Sequence, residues 1–101
     1  MRKLTYLAVF ETDENPGISV YFPDVPGCVS CGENFDHAMQ MAKEALALHI
    51  YGMEKDGEIL PEPAGRILKT GAGDVVASVT IYPDVVKDEM NSRREKTTVT
   101  T

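Results

Sequence analysis

The sequence predicts an α+β domain in which a small sheet of three to four strands is covered by one main helix, in the order βββαβ. Three observations carry this expectation. Residues 4–10, 18–22 and 75–82 alternate in polarity with a period of two, residues 35–55 repeat with a helical period, and Pro and Gly mark the connections. A chain of 101 residues makes one small domain plus some extra chain, burying roughly 60% of its unfolded surface.

In the first strand Leu4, Tyr6, Ala8 and Phe10 alternate with Thr5, Leu7 and Val9. Both faces are apolar, so the strand belongs inside the sheet. A polar loop, Glu11-Thr12-Asp13-Glu14-Asn15-Pro16-Gly17, leads to a second strand in which Ile18, Val20 and Phe22 alternate with Ser19 and Tyr21. The short connection favours antiparallel pairing. Next comes Phe22-Pro23-Asp24-Val25-Pro26-Gly27-Cys28. Pro23 and Pro26 fix φ, and Gly27 can take the positive φ that a type II turn needs, so this segment reverses the chain. Pro23, Pro26 and Gly27 are architectural residues, and a third strand at 28–31 completes the meander.

Asn34 suits a helix N-cap, and Asp36 places a negative charge in the first turn. Phe35, Ala38, Met39, Ala42, Ala45, Leu46, Ile50 and Met53 fall in one stripe about 140° wide that packs on the sheet. Asp56-Gly57 supplies the stop, with Gly57 suited to a left-handed C′ position. Each proline of Leu60-Pro61-Glu62-Pro63 disfavours helix in the residue before it, so the segment is extended. The glycines of Thr70-Gly71-Ala72-Gly73-Asp74 precede a strand and lack a following Gly-Lys-Ser/Thr, so they make no phosphate loop. The last strand, 75–82, could return through a right-handed crossover to run parallel with an earlier one.

Charge is uneven along the chain. Residues 1–91 carry 7 basic and 15 acidic side chains, a balance of −8, whereas Arg93, Arg94 and Lys96 against Glu95 give residues 92–101 a balance of +2. Such a body repels nucleic acid and attracts a basic partner, though the same balance also serves solubility. With no 18-residue apolar run and no signal-peptide pattern, a cytoplasmic location without membrane contact is expected.

Cys28-x-x-Cys31 is an isolated pair. It falls on a strand instead of a helix N-terminus, where a dipole would activate a thiol. The remaining soft ligands, His37 and His49, lie about 18 Å apart along the helix and cannot share one ion. Structural thiols, no metal and no cofactor are expected. His49 sits in the apolar stripe with no second catalytic group nearby, and reads as a half-buried core histidine. Met41 and Leu48 share the polar side of the helix, where they make either a subunit or partner contact or a flank covered by the Pro-rich loop.

In order and spacing, the strands, the Phe22-Pro23-Asp24-Val25-Pro26-Gly27-Cys28 turn, the Gly32-Glu33-Asn34 lead-in with Ala38, Ala42 and Ala45, and Leu60-Pro61-Glu62-Pro63 resemble the HicB antitoxins of bacterial toxin–antitoxin systems. The resemblance implies a partial ribonuclease H-like fold whose residues 1–82 bind and neutralise a HicA-type toxin, a small basic protein that cleaves mRNA. It implies a linker at 83–92. Residues 93–101 then read either as the start of a truncated C-terminal module that binds operator DNA and represses the operon, or as a threonine-rich tail. It also implies a homo-oligomer. Asp24, Glu33 and Asp36 are expected to cluster as toxin contacts, with the loop at Glu11 to Glu14 an equal candidate. A metal-dependent nuclease of the same fold is the rival reading. It is disfavoured because residues 4–10, 18–22 and 75–82 contain no Asp or Glu for a two-metal centre. A stand-alone oligomeric scaffold is the other alternative.

Overall fold

Alternation in the first half of the chain folds as expected into an antiparallel meander, β1 (Leu4–Glu11), β2 (Ile18–Tyr21) and β3 (Val29–Gly32). The computed structural model describes residues 2–12, 17–63, 71 and 73–85. One helix, α1 (Phe35–Lys55), and a last strand, β4 (Val75–Ile81), complete the α+β domain, with the sheet order β3-β2-β1-β4. β1 is interior, buried on its helix side and half-buried on the other, where Thr5 and Leu7 are partly covered. Tyr6, Ala8 and Phe10 enter the helix-side core, while Val9 is fully buried outside that cluster. β3 starts and ends one residue later than expected. β1 extends one residue further, ending on a carboxylate, Glu11.

The cap residues define α1 at both ends. Asn34 accepts a hydrogen bond from the His37 backbone N–H at 2.8 Å, while the His37 Nδ1 accepts one from the Glu33 N–H at 3.0 Å. At the other end Gly57 has φ +74°. Its N–H donates to the Glu54 carbonyl, and the Glu58 N–H reaches back to that of Met53, closing a Schellman motif. Ala38, Ala42, Leu46 and Ile50 are fully buried against the sheet. Burial of Leu46 and Ile50 stabilises the fold by about 1.5–3 kcal/mol each. Phe35, half exposed at the start of the stripe, stacks on Phe10 with ring centroids 4.8 Å apart.

β4 corrects the expectation of a parallel crossover. It pairs antiparallel with β1 over seven positions, from Leu4 opposite Ile81 to Phe10 opposite Val75. The cause is the path of the chain after the helix. β3 ends at Gly32, opposite Ile18, so α1 starts at that end of the sheet and runs toward the other. A parallel β4 would have to begin where α1 stops. Instead the connection after Gly57 carries the chain back: the Tyr6 hydroxyl donates to the Pro61 carbonyl at 2.6 Å, and the Thr12 hydroxyl donates to that of Gly73 at 2.7 Å. Arg2 ties the start of β1 to the end of α1 and to the residues after β4, with ion pairs to Glu54 at 2.6 Å and Asp84 at 3.1 Å.

Candidate functional site

The turn between β2 and β3 is two interlocked reversals. The Val25 N–H donates to the Phe22 carbonyl and the Cys28 N–H to that of Val25, both at 3.1 Å, and the Phe22 N–H to that of Cys28 at 3.3 Å. Gly27 takes φ +85°, as the type II turn requires, and Val25 points into the core. Pro26 and Gly27 occupy the two central positions of the second reversal, and Pro23 follows Phe22 in the first. The turn leans on the helix through His49, whose ring comes within 3.9 Å of the point where a Cβ on Gly27 would lie. His49 is half buried, as expected for a core-flanking ring.

The structure separates the three carboxylates expected to cluster. Tyr21 lies opposite Val29, so the turn bearing Asp24 closes that end of the sheet. β3 then runs to Gly32, and Glu33 and Asp36 emerge at the opposite end. Four strand residues, about 13 Å, lie between. The reason is elementary: a hairpin turn and the exit of its second strand fall at opposite ends. Asp24 is half buried, and its charge acts on the buried Tyr6 hydroxyl, whose pKa is raised by burial first and by Asp24 second.

Glu33 and Asp36 have different neighbours. Glu11 pairs with Ser19, and Ser19 with Cys31, which places Glu11 at the same end as Glu33. Asp74 comes there too, just before Val75, which lies opposite Phe10; its Oδ2 accepts from the Gly71 N–H at 2.7 Å. Among the described residues this end carries Glu11, Glu33, Asp36 and Asp74 with no Lys or Arg. Arg2, Lys3 and Lys55 lie at the start of β1 and the end of α1, and Lys43 lies midway along the helix. The opposite end is mixed in charge, because Arg2, Lys3 and Lys55 lie among Asp24, Glu54, Asp56, Glu58 and Asp84, and Arg2 is paired to Glu54 and Asp84. Asp74 has no sequence signal linking it to Asp36, because only the β1–β4 register brings them to one end.

The Cys-x-x-Cys pair straddles the sheet. Cys28 is buried, and desolvation pushes its thiol up to about 11; Cys31 is exposed. An extended chain sets residues i and i+3 about 10 Å apart on opposite faces, beyond the reach of a disulfide. No group of three or more His, Cys, Asp or Glu able to hold a metal ion occurs among the described residues. No helix among them is long and apolar enough to cross a membrane. Met41 and Leu48 are both exposed on the flank of α1.

Among the described residues, fold and surface define a small α+β domain with one main helix and a one-signed acidic end. The chain belongs to the HicB-like antitoxin family of bacterial toxin–antitoxin systems, whose profile matches residues 6–100. An uncharacterised 14.9 kDa protein of the rep–hol intergenic region of Haemophilus phage HP1 is 52% identical over 48 residues, 48% of this chain and 36% of the phage protein. A UPF0150 protein of Helicobacter pylori is 41% identical over 49 residues, 48% of this chain and 67% of that protein. The match thus spans about a third of the phage relative. Among solved structures, a chain of a toxin–antitoxin complex from Streptococcus pneumoniae superposes with a TM-score of 0.66 at 20% identity, covering 82% of this chain and 71% of that one. Antitoxin HicB3 gives 0.63 at 29% identity, covering 79% and 63%. A chain of the HicA3 and HicB3 toxin–antitoxin complex gives 0.56 at 26% identity, covering 74% and 94%.

Proposed function

We propose that this chain is the neutralising domain of an antitoxin, that it binds a HicA-type mRNA-cleaving toxin, and that it is not itself an enzyme. The observation that carries the reading is the acidic end formed by Glu11, Glu33, Asp36 and Asp74 in a member of the HicB-like family. A protein that grips RNA presents Lys and Arg to phosphate. Carboxylates fixed at a sheet end and a helix start can occupy the same positions, so toxin and antitoxin associate faster than neutral partners and RNA is then excluded. Glu33 and Asp36 are the leading contacts, and Asp24 is assigned to the packing of the turn near Tyr6 instead. The similarity to a chain of the HicA3–HicB3 complex supports the choice of partner.

We assign operator binding to a C-terminal module that the basic residues 93–101 would open, after a linker at 83–92. Residues 86–101 lie outside the described residues. The site of action is the cytoplasm, where mRNA is the toxin's substrate.

The test is an RNA-cleavage assay in which this chain is titrated against the small basic protein encoded beside it, with the chain alone plus Mg2+ or Mn2+ as control. Cleavage should stop near stoichiometric addition, and the chain alone should be inert. Metal-dependent cleavage by the chain alone would make it a nuclease, and failure of both would leave the oligomeric scaffold reading.

A further inference from the structure

We propose, resting on the assignment of Glu33 and Asp36 as toxin contacts, that His37 is a positioning residue for that contact: its neutral ring holds the Glu33 backbone in place, and protonation of the ring releases it and weakens toxin binding. The start of α1 is tied by two hydrogen bonds that meet at this one residue. The His37 backbone N–H donates to the Asn34 side chain at 2.8 Å, and the Glu33 backbone N–H donates to the His37 Nδ1 at 3.0 Å. The arrangement is a capping box that reaches one residue further back than usual, with an imidazole where Glu or Gln is the common choice. That difference makes the tie conditional on protonation.

Nδ1 accepts a hydrogen bond only while it carries no proton, so the bond fixes the tautomer, with the one ring proton on Nε2 and no net charge. The second proton of an imidazolium has a single place to go, the same Nδ1. Protonation and the Glu33 bond therefore exclude each other. Imidazole is also the side chain whose charge ordinarily changes between about pH 5 and 8.

Protonation acts on the toxin contact in three ways that share a sign. The Glu33 N–H loses its partner, so the segment carrying this carboxylate is no longer pinned to the helix. The new positive charge sits in the first turn, against the helix dipole that Asp36 complements. It also lies among the carboxylates that a basic partner meets. Glu33 and Asp36 flank it, Glu11 of β1 and Asp74 before β4 share this end, Cys31 of β3 is the other titratable group there, and among the described residues no Lys or Arg joins them. An imidazolium with donors at both nitrogens competes with the toxin for those oxygens.

Isothermal titration of the full chain against the small basic protein encoded beside it, at about pH 8 and about pH 6, tests this with His37→Asn and His37→Ala. The Asn Oδ1 is attached to Cγ as Nδ1 is, so His37→Asn keeps an acceptor for the Glu33 N–H and cannot take up the proton. It should bind like wild type at the higher pH and lose less affinity at the lower, by a factor of about three or more. Titration of the partner's own groups is common to both chains and cancels. His37→Ala should already bind about threefold more weakly at the higher pH and lose no more than His37→Asn on acidification. In the free chain, NMR should show that protection of the Glu33 amide, relative to its intrinsic exchange rate, falls between the two pH values in wild type but not in His37→Asn. Equal pH profiles for wild type and His37→Asn would overturn the proposal, and the free-chain amide separates the causes. Protection lost in wild type alone would move the toxin contact away from Glu33, whereas unchanged protection would remove the role of His37. No binding at either pH would overturn the antitoxin reading itself, and the proposal with it.

Discussion

Gly32→Ala should be among the most damaging single-methyl additions this domain can receive. An added Cβ would lie 2.3 Å from the Ala38 nitrogen, 2.4 Å from its Cα and 2.9 Å from its Cβ, where unstrained contacts are about 3.5–4.0 Å. The obstructing atoms are helix backbone, so no rotamer change relieves the clash, and one element must move by more than 1 Å. If α1 lifts, the Asn34 cap is disturbed, at a cost of about 1 kcal/mol, and the seats of Ala38 and Ala42 open beneath it. If β3 peels away instead, its pairing with β2 suffers. Overpacking of a close contact costs about 1–3 kcal/mol, so with about 1 kcal/mol for the cap the total is about 2–4 kcal/mol. For a domain of this length, about 0.2 kcal/mol per kelvin of unfolding entropy converts that to a fall in Tm of about 10–20 °C. Gly52→Ala is the matched control. It sits inside α1 with nothing within 4 Å of the new methyl, so helix propensity should stabilise it by about 0.5–1 kcal/mol, raising Tm by a few degrees. Thermal denaturation of both decides the matter: a Gly32→Ala protein melting within 3 °C of wild type, roughly 0.6 kcal/mol on the same conversion, would refute the close approach of α1 to β3.

Other consequences are simpler to check. Asn34→Ala removes the bond from the His37 N–H and should cost about 1 kcal/mol in urea denaturation. A thiol reagent at pH 8 should label Cys31 and spare Cys28, whose thiol is buried and raised to about 11; equal labelling by mass spectrometry would contradict that burial. The raised Cys28 and Tyr6 groups stay protonated in the folded state after their unfolded counterparts ionise. Stability is therefore complete below about pH 9 and falls through about pH 11, and Cys28→Ala should flatten part of that slope. Asp84 has the opposite sign: hydrogen bonds from Arg2 lower its pKa, so its small exposed contribution is present above the ordinary carboxylate range and lost on acidification. Asp84→Asn should weaken the acid dependence of Tm by lowering Tm slightly at neutral and alkaline pH while leaving it unmoved at acid pH.

Much of this fold is written locally. The double-proline turn, the Asn34 cap and the Gly57 stop each depend on residues within five positions, and the structure places all three as expected. The helix stripe is equally legible, because Ala38, Ala42, Leu46 and Ile50 repeat at the helical period. What failed depends on distant parts of the chain. The direction of β4 is set by where the segment after Gly57 travels, and no periodicity encodes a route. Gly32 reads in sequence only as part of the lead-in to the helix, whereas its role is to let two backbones approach, which leaves no mark on neighbouring letters. The acidic site was half legible for the same reason: Glu33 and Asp36 are neighbours in sequence, Asp24 is a sequence neighbour that topology sends away, and Asp74 is a distant residue that topology brings near.

The central claim is that the acidic end meets the toxin, and a binding titration with charge reversals tests it most directly. Isothermal titration of the wild type, Glu33→Lys/Asp36→Lys and Asp24→Lys against the neighbouring basic protein, at low and physiological salt, compares the two ends of the sheet. The account predicts that the double reversal weakens binding at least about tenfold, or 1.4 kcal/mol, and flattens the salt dependence, while a folded Asp24→Lys binds like wild type. Unchanged affinity for the double reversal, with loss of binding on reversal at Asp24, would contradict it and move the interface to the opposite end of the sheet.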